Sequence, residues 1–312
     1  MYTKRASSGS RLPIVGVINT GSALDPAWEG LRAGLEKLGY RDGAQISFRY
    51  EPVAVGAPDA REAAERFIEE GASLLVTIGI EPTLAAQEVT REKKRALPVI
   101  FLVVSDPVGN GIVTNAPSPS ENITGVSPAN ETVSGKRLEL FKEAVPSLER
   151  VIFVYGNART AGLRRVREVS RIVGVELVEY EVRDAAEFDH FFADFVFRAG
   201  DGILRSTDGI NAARLPFLLD LAREKRVPLA GTNRNDTDGG ALLSYGANYF
   251  ELGVQGARLA ARILSGTRVA ALPVELPRQF ELAVNLATAQ EIGVSLSRLF
   301  LEKAHYIIPV AR

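Results

Sequence analysis

The chain has no cysteine, which removes disulfides, thiolate metal sites, cysteine nucleophiles and a lipidated N-terminal cysteine together. Histidine is almost as scarce, with only His190 and His305. A zinc site of the HExxH kind or a Ser-His-Asp triad would have to be built from one of these two. His190 lies in the run Phe188-Asp189-His190-Phe191-Phe192, read as helical, and His305 lies near the C-terminus; neither is assigned a catalytic or metal-binding role. Charge of one sign is also missing. The chain carries 37 Lys and Arg against 38 Asp and Glu, spread along its length, and so has no electrostatic basis for holding nucleic acid or an anionic membrane surface. No stretch reaches the ~20 apolar residues that a membrane-spanning helix needs. The N-terminal MYTKRASSGSRLP is basic and then Ser/Gly-rich without an apolar segment. No intact secretory signal is therefore expected, and the chain is read either as cytoplasmic or as a mature form whose signal has been removed.

What is present fits an ordinary globular protein: 312 residues, 46% apolar and 24% charged. That length exceeds the size at which one core keeps growing, so two domains are expected. The organising stretch is 98–126. Its apolar, β-branched run 99–104 is too unbroken for an edge strand and reads as a central parallel strand covered on both faces. It ends on Ser105-Asp106-Pro107, and because carboxyl ends of such strands face the ligand crevice, Asp106 is a candidate site residue. The Pro/Ser/Gly-rich continuation reads as a surface excursion, with 122–126 as the first crossing into a second domain.

In chain order, 14–18 is a short strand followed by Asn19-Thr20-Gly21-Ser22 and then Asp25-Pro26, read as an N-cap with proline at the first helical position. Trp28, Leu31, Leu35 and Leu38 recur at helical spacing up to Gly39. The start resembles a dinucleotide fingerprint only in outline, since the G-x-G-x-x-G glycines are missing, and no cofactor is expected. Asn19 and Thr20, at a strand's carboxyl end before a helix N-terminus, suit a small polar ligand. A strand at 45–51 and a helix with Ala60, Ala63, Ala64 and Phe67 on one face lead to a third strand, 74–78. That strand delivers Gly79, Ile80 and Glu81 to the same rim. Glu81 lies in or near the first turn of the next helix, where the helix dipole favours it with or without a ligand.

Beyond the crossing, Thr132 is read as opening a helix with Leu138, Phe141 and Val145 buried, closed by Pro146, and then the pattern restarts. A strand at 151–155 ends on Gly156-Asn157; a helix runs to Gly174; a strand follows at 176–182. Asp184 and Glu187 cap a helix whose Phe188, Phe191, Phe192 and Phe195 read as a core stripe. The segment GASLLVTIGIEPTLAAQEVTREKKRALPVIFLVVSD is echoed by AGDGILRSTDGINAARLPFLLDLAREKRVPLAGTNRND at an offset of roughly 130 residues, a domain-sized period. Asp208 then occupies the loop matching Gly79 to Glu81, and Thr232-Asn233-Arg234 stands where Ser105-Asp106 stood. In the last quarter, 241–246 reads as a strand, 249–265 as a helix and 280–284 as an extended segment before a closing helix. Crossings near Val126, Ser244 and Phe280 would tie the two lobes together.

The combination LEKLGY, SDPVGNGIV, NITGVS, SGKRLELFKEAVP, GGALLSYGAN and LPVELPRQFELAVNLATAQEIGV resembles the ABC-transporter substrate-binding protein family that includes the tryptophan-binding TrpX-like proteins, over nearly the whole chain from about Leu12. The resemblance implies an α/β fold of periplasmic-binding-protein type I, with two Rossmann-like lobes with parallel sheets joined by three crossover segments. It also implies an extracytoplasmic receptor that passes a solute to a permease and its ATPase. The domains expected are a leader at 1–12, a first lobe of 13–125 plus 247–279, and a second of 126–246 plus 280–312. Asp106-Pro107, Asn157, Asp208, Arg234 and Ser244-Tyr245-Gly246 match family positions. The chain departs from the family at Ala158, where a proline is usual, at Gly79-Ile80-Glu81, where a Gly-Thr-Pro-like sequence is common, and at Asn233, often aromatic. The function expected is capture without chemistry by a monomer. Asp106, Glu81 and Asp208 would accept from an ammonium, while Arg234 and helix N-termini would hold a carboxylate. The competing structural reading pairs Arg234 with Asp236 or Asp238 and uses Asp208 as a helix cap. Two other classes are kept open. One is a cleft enzyme using a carboxylate pair such as Glu81 and Asp106. The other is the effector domain of a transcription regulator, which the short leader disfavours for want of a helix-turn-helix.

Overall fold

The computed structural model describes residues 11–54, 58–93, 96–117, 119, 122–157 and 160–310; most of the expected leader, Lys94-Arg95 of the basic run, and Ala158 lie outside them. The chain divides into two compact units. Unit 1 comprises Met1–Leu102, Ile112–Val126 and Gly253–Val274, and unit 2 comprises Val103–Gly111, Ser127–Leu252 and Glu275–Arg312.

Unit 1 alternates apolar strands with helices: β1 (Ile14–Thr20), α1 (Asp25–Lys37), β2 (Ser47–Val53), α2 (Asp59–Glu69), β3 (Leu74–Ile78), α3 (Ile80–Glu92), β4 (Val99–Leu102) and β5 (Ile123–Val126). The strands form one parallel sheet in the order β2-β1-β3-β4-β5. β3, β4 and β5 are buried at every position, as strands with helices on both faces must be. The order reverses between β1 and β3, the topological position where open α/β sheets bind ligands at the carboxyl ends of their strands. The expected run 99–104 stops at Leu102, because Val103 turns into the left-handed region at φ 58, a conformation that β-branched residues rarely adopt.

Unit 2 repeats the scheme with α4 (Asn130–Ala144), β6 (Arg150–Tyr155), α5 (Leu163–Val173), β7 (Glu176–Glu181), α6 (Ala185–Asp194), β8 (Asp201–Leu204), α7 (Gly209–Ala213), α8 (Leu215–Glu224), β9 (Leu229–Gly231), α9 (Arg234–Asp238) and β10 (Leu243–Ala247). Helix α4 opens earlier than expected: Ala129, left-handed at φ 57, occupies its cap position, and the Thr132 hydroxyl donates back to the Ala129 carbonyl at 2.9 Å. Side chains of β6 alternate between two cores. Val151, Phe153 and Tyr155 join α4 and α5, whereas Ile152 and Val154 join Phe188 and Phe192 of α6 and Leu218 of α8. Phe191 and Phe195 pack against the second core, so the four phenylalanines form the expected stripe.

The chain then runs through α10 (Tyr249–Leu264), β11 (Phe280–Asn285), α11 (Leu286–Ile292), α12 (Arg298–Leu301) and β12 (Tyr306–Ile308). The unit boundary between Leu252 and Gly253 falls inside α10, later in the chain than the crossing expected near Ser244. The part of α10 in unit 1 closes directly over α1. A Cβ on Gly253 would overlap the Ala27 carbonyl, and one on Gly34 would come within 2.6 Å of Ala257. The sheet of unit 2 has the order β12-β11-β10-β9-β8-β6-β7. Its β7-β6-β8-β9-β10 part reproduces the order of unit 1, and β11 is added antiparallel to β10, with β12 parallel to β11. Val103–Gly111, expected with the first lobe, groups with unit 2.

Candidate functional site

In unit 1 the candidate residues converge at the carboxyl ends of β1 and β3. Asn19 is fully buried. Its Nδ2 donates to Asp25 Oδ1 at 2.7 Å and to the Tyr50 hydroxyl at 3.1 Å, which fixes the amide orientation because a carboxylate only accepts. Its Oδ1 is left buried without a hydrogen-bond partner, and so is the neighbouring Thr20 Oγ1. Asp25 does not cap α1 as the sequence suggests. A 3-10 turn at Ser22–Leu24 precedes the helix, Leu24 takes the cap position, and no side chain bonds to the first-turn N–H groups. The Asp25 carboxylate is turned instead to Asn19 and Tyr50. Burial raises the Tyr50 phenol above its ordinary pKa; the Asn19 bond opposes this and Asp25 adds to it.

Gly79 caps α3 with φ 103 and ψ 168 and no side-chain cap. A Cβ there would stand 3.0 Å from Thr20 Oγ1, so the glycine serves both the backbone geometry and the approach of the two loops. The Thr83 hydroxyl donates to the Gly79 carbonyl at 2.6 Å and lies 2.8 Å from Thr77 Oγ1. Ile80 and Glu81, both half-buried, begin the first turn of α3, where Glu81 was expected.

The remaining candidates belong to unit 2, and most are engaged with their own loops. Asp106 Oδ1 accepts from Gly109 N at 2.8 Å, and its carbonyl accepts from Asn110 N and Nδ2. Asn157 is exposed after β6, with its carbonyl accepting from Thr160 N; Thr160 Oγ1 is buried and unpartnered. The Asp208 carboxylate accepts from Gly156 N, Ser206 Oγ, and both nitrogens of Asn211, so the helix-cap reading describes its contacts. Asn233 caps α9 through Asn235 N and donates to Thr232 Oγ1. Arg234 stacks 3.5 Å over the Tyr306 ring and pairs with Asp238 at 3.4 Å. Tyr245 is half-buried near Phe280, and its carbonyl accepts from Arg137 Nε at 2.9 Å.

That last contact leads to residues the sequence reading passed over. Arg137, Arg205 and Asp236 are almost fully buried beside Thr232. A signal for Arg137 was available: it lies four residues after Val133 and four before Phe141, in phase with the buried face of α4. Arg205, directly after the apolar β8, is the other visible mark.

Neither histidine joins these groups. His190 is exposed beside Asp194, and His305 Nδ1 accepts from the Leu282 backbone. Among the described residues, no group of three or more His, Asp or Glu could hold a metal ion, and no helix is long and apolar enough to cross a membrane.

Comparison with known proteins finds one family and several structural relatives. The sequence profile of the family described as "ABC transporter substrate binding protein" matches residues 14–308. A tyrosine-binding protein of Clostridioides difficile (strain R20291) is 25% identical over 288 residues, covering 91% of this chain and 81% of that protein. The crystal structure of a conserved domain protein from Vibrio cholerae O1 biovar El Tor is 27% identical with a TM-score of 0.85, covering 95% of this chain and 100% of that one. An ABC domain in complex with L-Trp from Streptococcus pneumoniae is 22% identical with a TM-score of 0.86, covering 96% and 100%, a likeness of fold.

Proposed function

Because the chain belongs to the ABC transporter substrate-binding protein family, we propose that it is the solute receptor of an importer for an amino acid or a closely similar zwitterion. The fold is that of type I periplasmic binding proteins, and the family binds solutes rather than transforming them. The observation that carries the ligand class is the pair of orphan acceptors at the end of β1. Asn19 Oδ1 and Thr20 Oγ1 are buried and unsatisfied, a state that costs about 1–3 kcal/mol per group. Such a cost is offset when a ligand brings the missing donors. An ammonium group has three. Gly79 lets its loop approach Thr20 closely, and Ile80 and Glu81 begin the helix that follows.

The rim residues of unit 2, including Asp106, Asn157, Asp208, Asn233, Arg234 and Tyr245, supply the remaining framework. Capture then works by population shift, since a ligand favours whichever conformation it binds more tightly. The receptor acts outside the cytoplasm as a monomer and delivers its solute to a permease and ATPase. It uses neither cofactor nor nucleic acid.

A thermal-shift and calorimetry screen of the twenty L-amino acids, with tyrosine and tryptophan first, tests this reading. A ligand at a hundred times its Kd stabilises the folded state by about 2.7 kcal/mol, so a true solute gives an unmistakable rise in Tm. A flat response to every amino acid would remove the amino-acid reading, and turnover of a bound compound by mass spectrometry would remove the receptor reading.

A further inference from the structure

Three charged side chains meet where β8, β9 and β10 carry polar groups to one end of the unit 2 sheet. Arg205 directly follows β8, and its backbone N–H still donates to the Ala230 carbonyl, extending the pairing with β9. Arg137 reaches in from α4, and Asp236 from α9. Their exposures are 5%, 1% and 1%. Asp236 Oδ2 is the focus of Arg205 Nη1 at 3.0 Å, Thr232 N at 2.6 Å and Thr232 Oγ1 at 3.1 Å. Arg137 has no carboxylate of its own. It donates to the Tyr245 carbonyl, the Thr232 carbonyl and Asn130 Oδ1, all neutral acceptors.

The cluster therefore holds two guanidinium ions against one carboxylate. Burial lowers the Arg137 pKa to about 10; Asp236 and the Tyr249 phenol oppose the shift and Arg205 adds to it, so the guanidinium stays charged at neutral pH. A buried positive charge without a counter-ion is held at a cost, and a second anion would relieve it. The donor is also available. Arg205 uses Nη1 for Thr232 Oγ1 and Asp236, and Nε for the Asn211 carbonyl. Its Nη2 has no acceptor among the described residues, and it is not among the partnerless atoms sealed from solvent. The neighbouring Asn233 Nδ2 is turned toward Thr232 Oγ1; Arg137 Nη1 likewise has no acceptor among the described residues, but Arg137 is the more deeply buried of the two, which leaves the Arg205 fork as the more accessible cationic donor at this end of the sheet.

We propose that the Arg205–Arg137–Asp236 cluster is an anion subsite, and that Arg205 Nη2 receives the carboxylate of the ligand. The proposal rests on the receptor reading and sharpens it: the solute must carry a carboxylate, and the charge recognising it comes from Arg205 instead of the surface-paired Arg234. Arg137 is part of the framework that keeps the cluster net positive.

The test measures binding of three matched compounds by calorimetry: L-tyrosine, L-tyrosinamide, which lacks the carboxylate, and 3-(4-hydroxyphenyl)propionate, which lacks the amine. The same triad is built on whichever amino acid the screen selects. The wild-type protein is expected to bind the two carboxylates and to bind the amide about 10- to 100-fold more weakly, as the loss of one charge-assisted hydrogen bond predicts. Arg205→Gln is expected to erase that preference, weakening the carboxylates by a similar factor and leaving the amide unchanged. Arg205→Lys, which keeps the charge and loses the fork, retains part of it and serves if the glutamine variant does not fold. Equal binding of amino acid and amide by the wild type, or equal losses for both in Arg205→Gln, overturns the subsite. If no amino acid binds while the amine-free carboxylate does so in an Arg205-dependent way, the amino-acid reading falls and the subsite stands. If no carboxylate of the panel binds, both fall.

Discussion

The two units share one strand order and differ in how far the loops at their strand ends bind themselves. Unit 1 leaves its acceptors empty. Asn19 Oδ1 and Thr20 Oγ1 are buried without donors, Gly79 offers no side chain, and α1 and α3 start without side-chain caps. Unit 2 binds most of its polar groups to itself. Asp208 and Asn233 cap helices, Asp236 gathers three donors, and Arg137 ties α4 to the loop after β9 and to β10. Unit 2 has an orphan hydroxyl of its own, Thr160 Oγ1, in the loop after β6. The contrast shows how one topology can be used twice: at its strand ends one copy leaves acceptors open, while the other buries a network holding two guanidinium groups and one carboxylate.

The largest effect expected from breaking this contrast comes from Asp236→Ala. It removes the carboxylate partner of the buried Arg205 and the acceptor of Thr232, and it should cost about 3–5 kcal/mol in urea-induced unfolding; a loss under about 1 kcal/mol would mean that the unit 2 network is not structural. Next is Gly79→Ala. The φ 103, ψ 168 backbone lies in a region open essentially to glycine alone, so about 1–3 kcal/mol of stability should go, together with ligand affinity as the loop shifts away from Thr20.

Thr20→Val separates stability from binding. It removes an unsatisfied hydroxyl at nearly constant shape, so the ligand-free protein should keep its stability or gain up to about 1 kcal/mol, while ligand affinity drops about tenfold. A parallel loss of both in melting and calorimetry would contradict the orphan-acceptor assignment. The smallest effect concerns Tyr249. Burial raises its phenol above the ordinary 10.0, with Asp236 adding to the rise, while Arg205, Arg137 and the Asn233 bond work against it. The folded state therefore prefers the neutral phenol, and its contribution is intact below pH 10 and lost as pH climbs through the folded value. Burial also raises the phenols of Tyr50 and Tyr155, so ultraviolet titration should find several late-ionising tyrosines, of which one disappears in Tyr249→Phe.

Much of the architecture was legible because buried parallel strands are written as unbroken apolar runs, as at 74–78 and 151–155, and because the two echoing segments keep the same order of strand, helix, basic run and strand. The misplacements have local causes. Asp25-Pro26 has the letters of a helix start, but the preceding 3-10 turn and the pull of Asn19 and Tyr50 carry the carboxylate away from the cap. Thr132 looks like an N-cap, yet the left-handed Ala129 starts α4 sooner. The reversed direction of β11 and the short β12 could not be read, because strand direction follows from tertiary pairing and three residues are too few for periodicity. At the site, single-letter chemistry pointed to Asp208 and Arg234, both of which are engaged within unit 2, by Gly156, Ser206 and Asn211 and by Tyr306 and Asp238. Arg137 and Arg205 went unremarked because an arginine in an amphipathic helix or after a strand is usually solvated.

The interleaving of the units has a consequence for how the polypeptide is made. Helix α1 is translated early, but the glycine-bearing stretch of α10 that covers it emerges only after the long Ser127–Leu252 stretch of unit 2. On the ribosome, then, the earlier unit waits for its lid while a long stretch of the later one is being made, with Leu31 and Leu35 unshielded in the interval. A gene cut after Val126 would leave that first unit permanently short of this piece, so the halves inherited from a repeat can no longer be divided by a single cut.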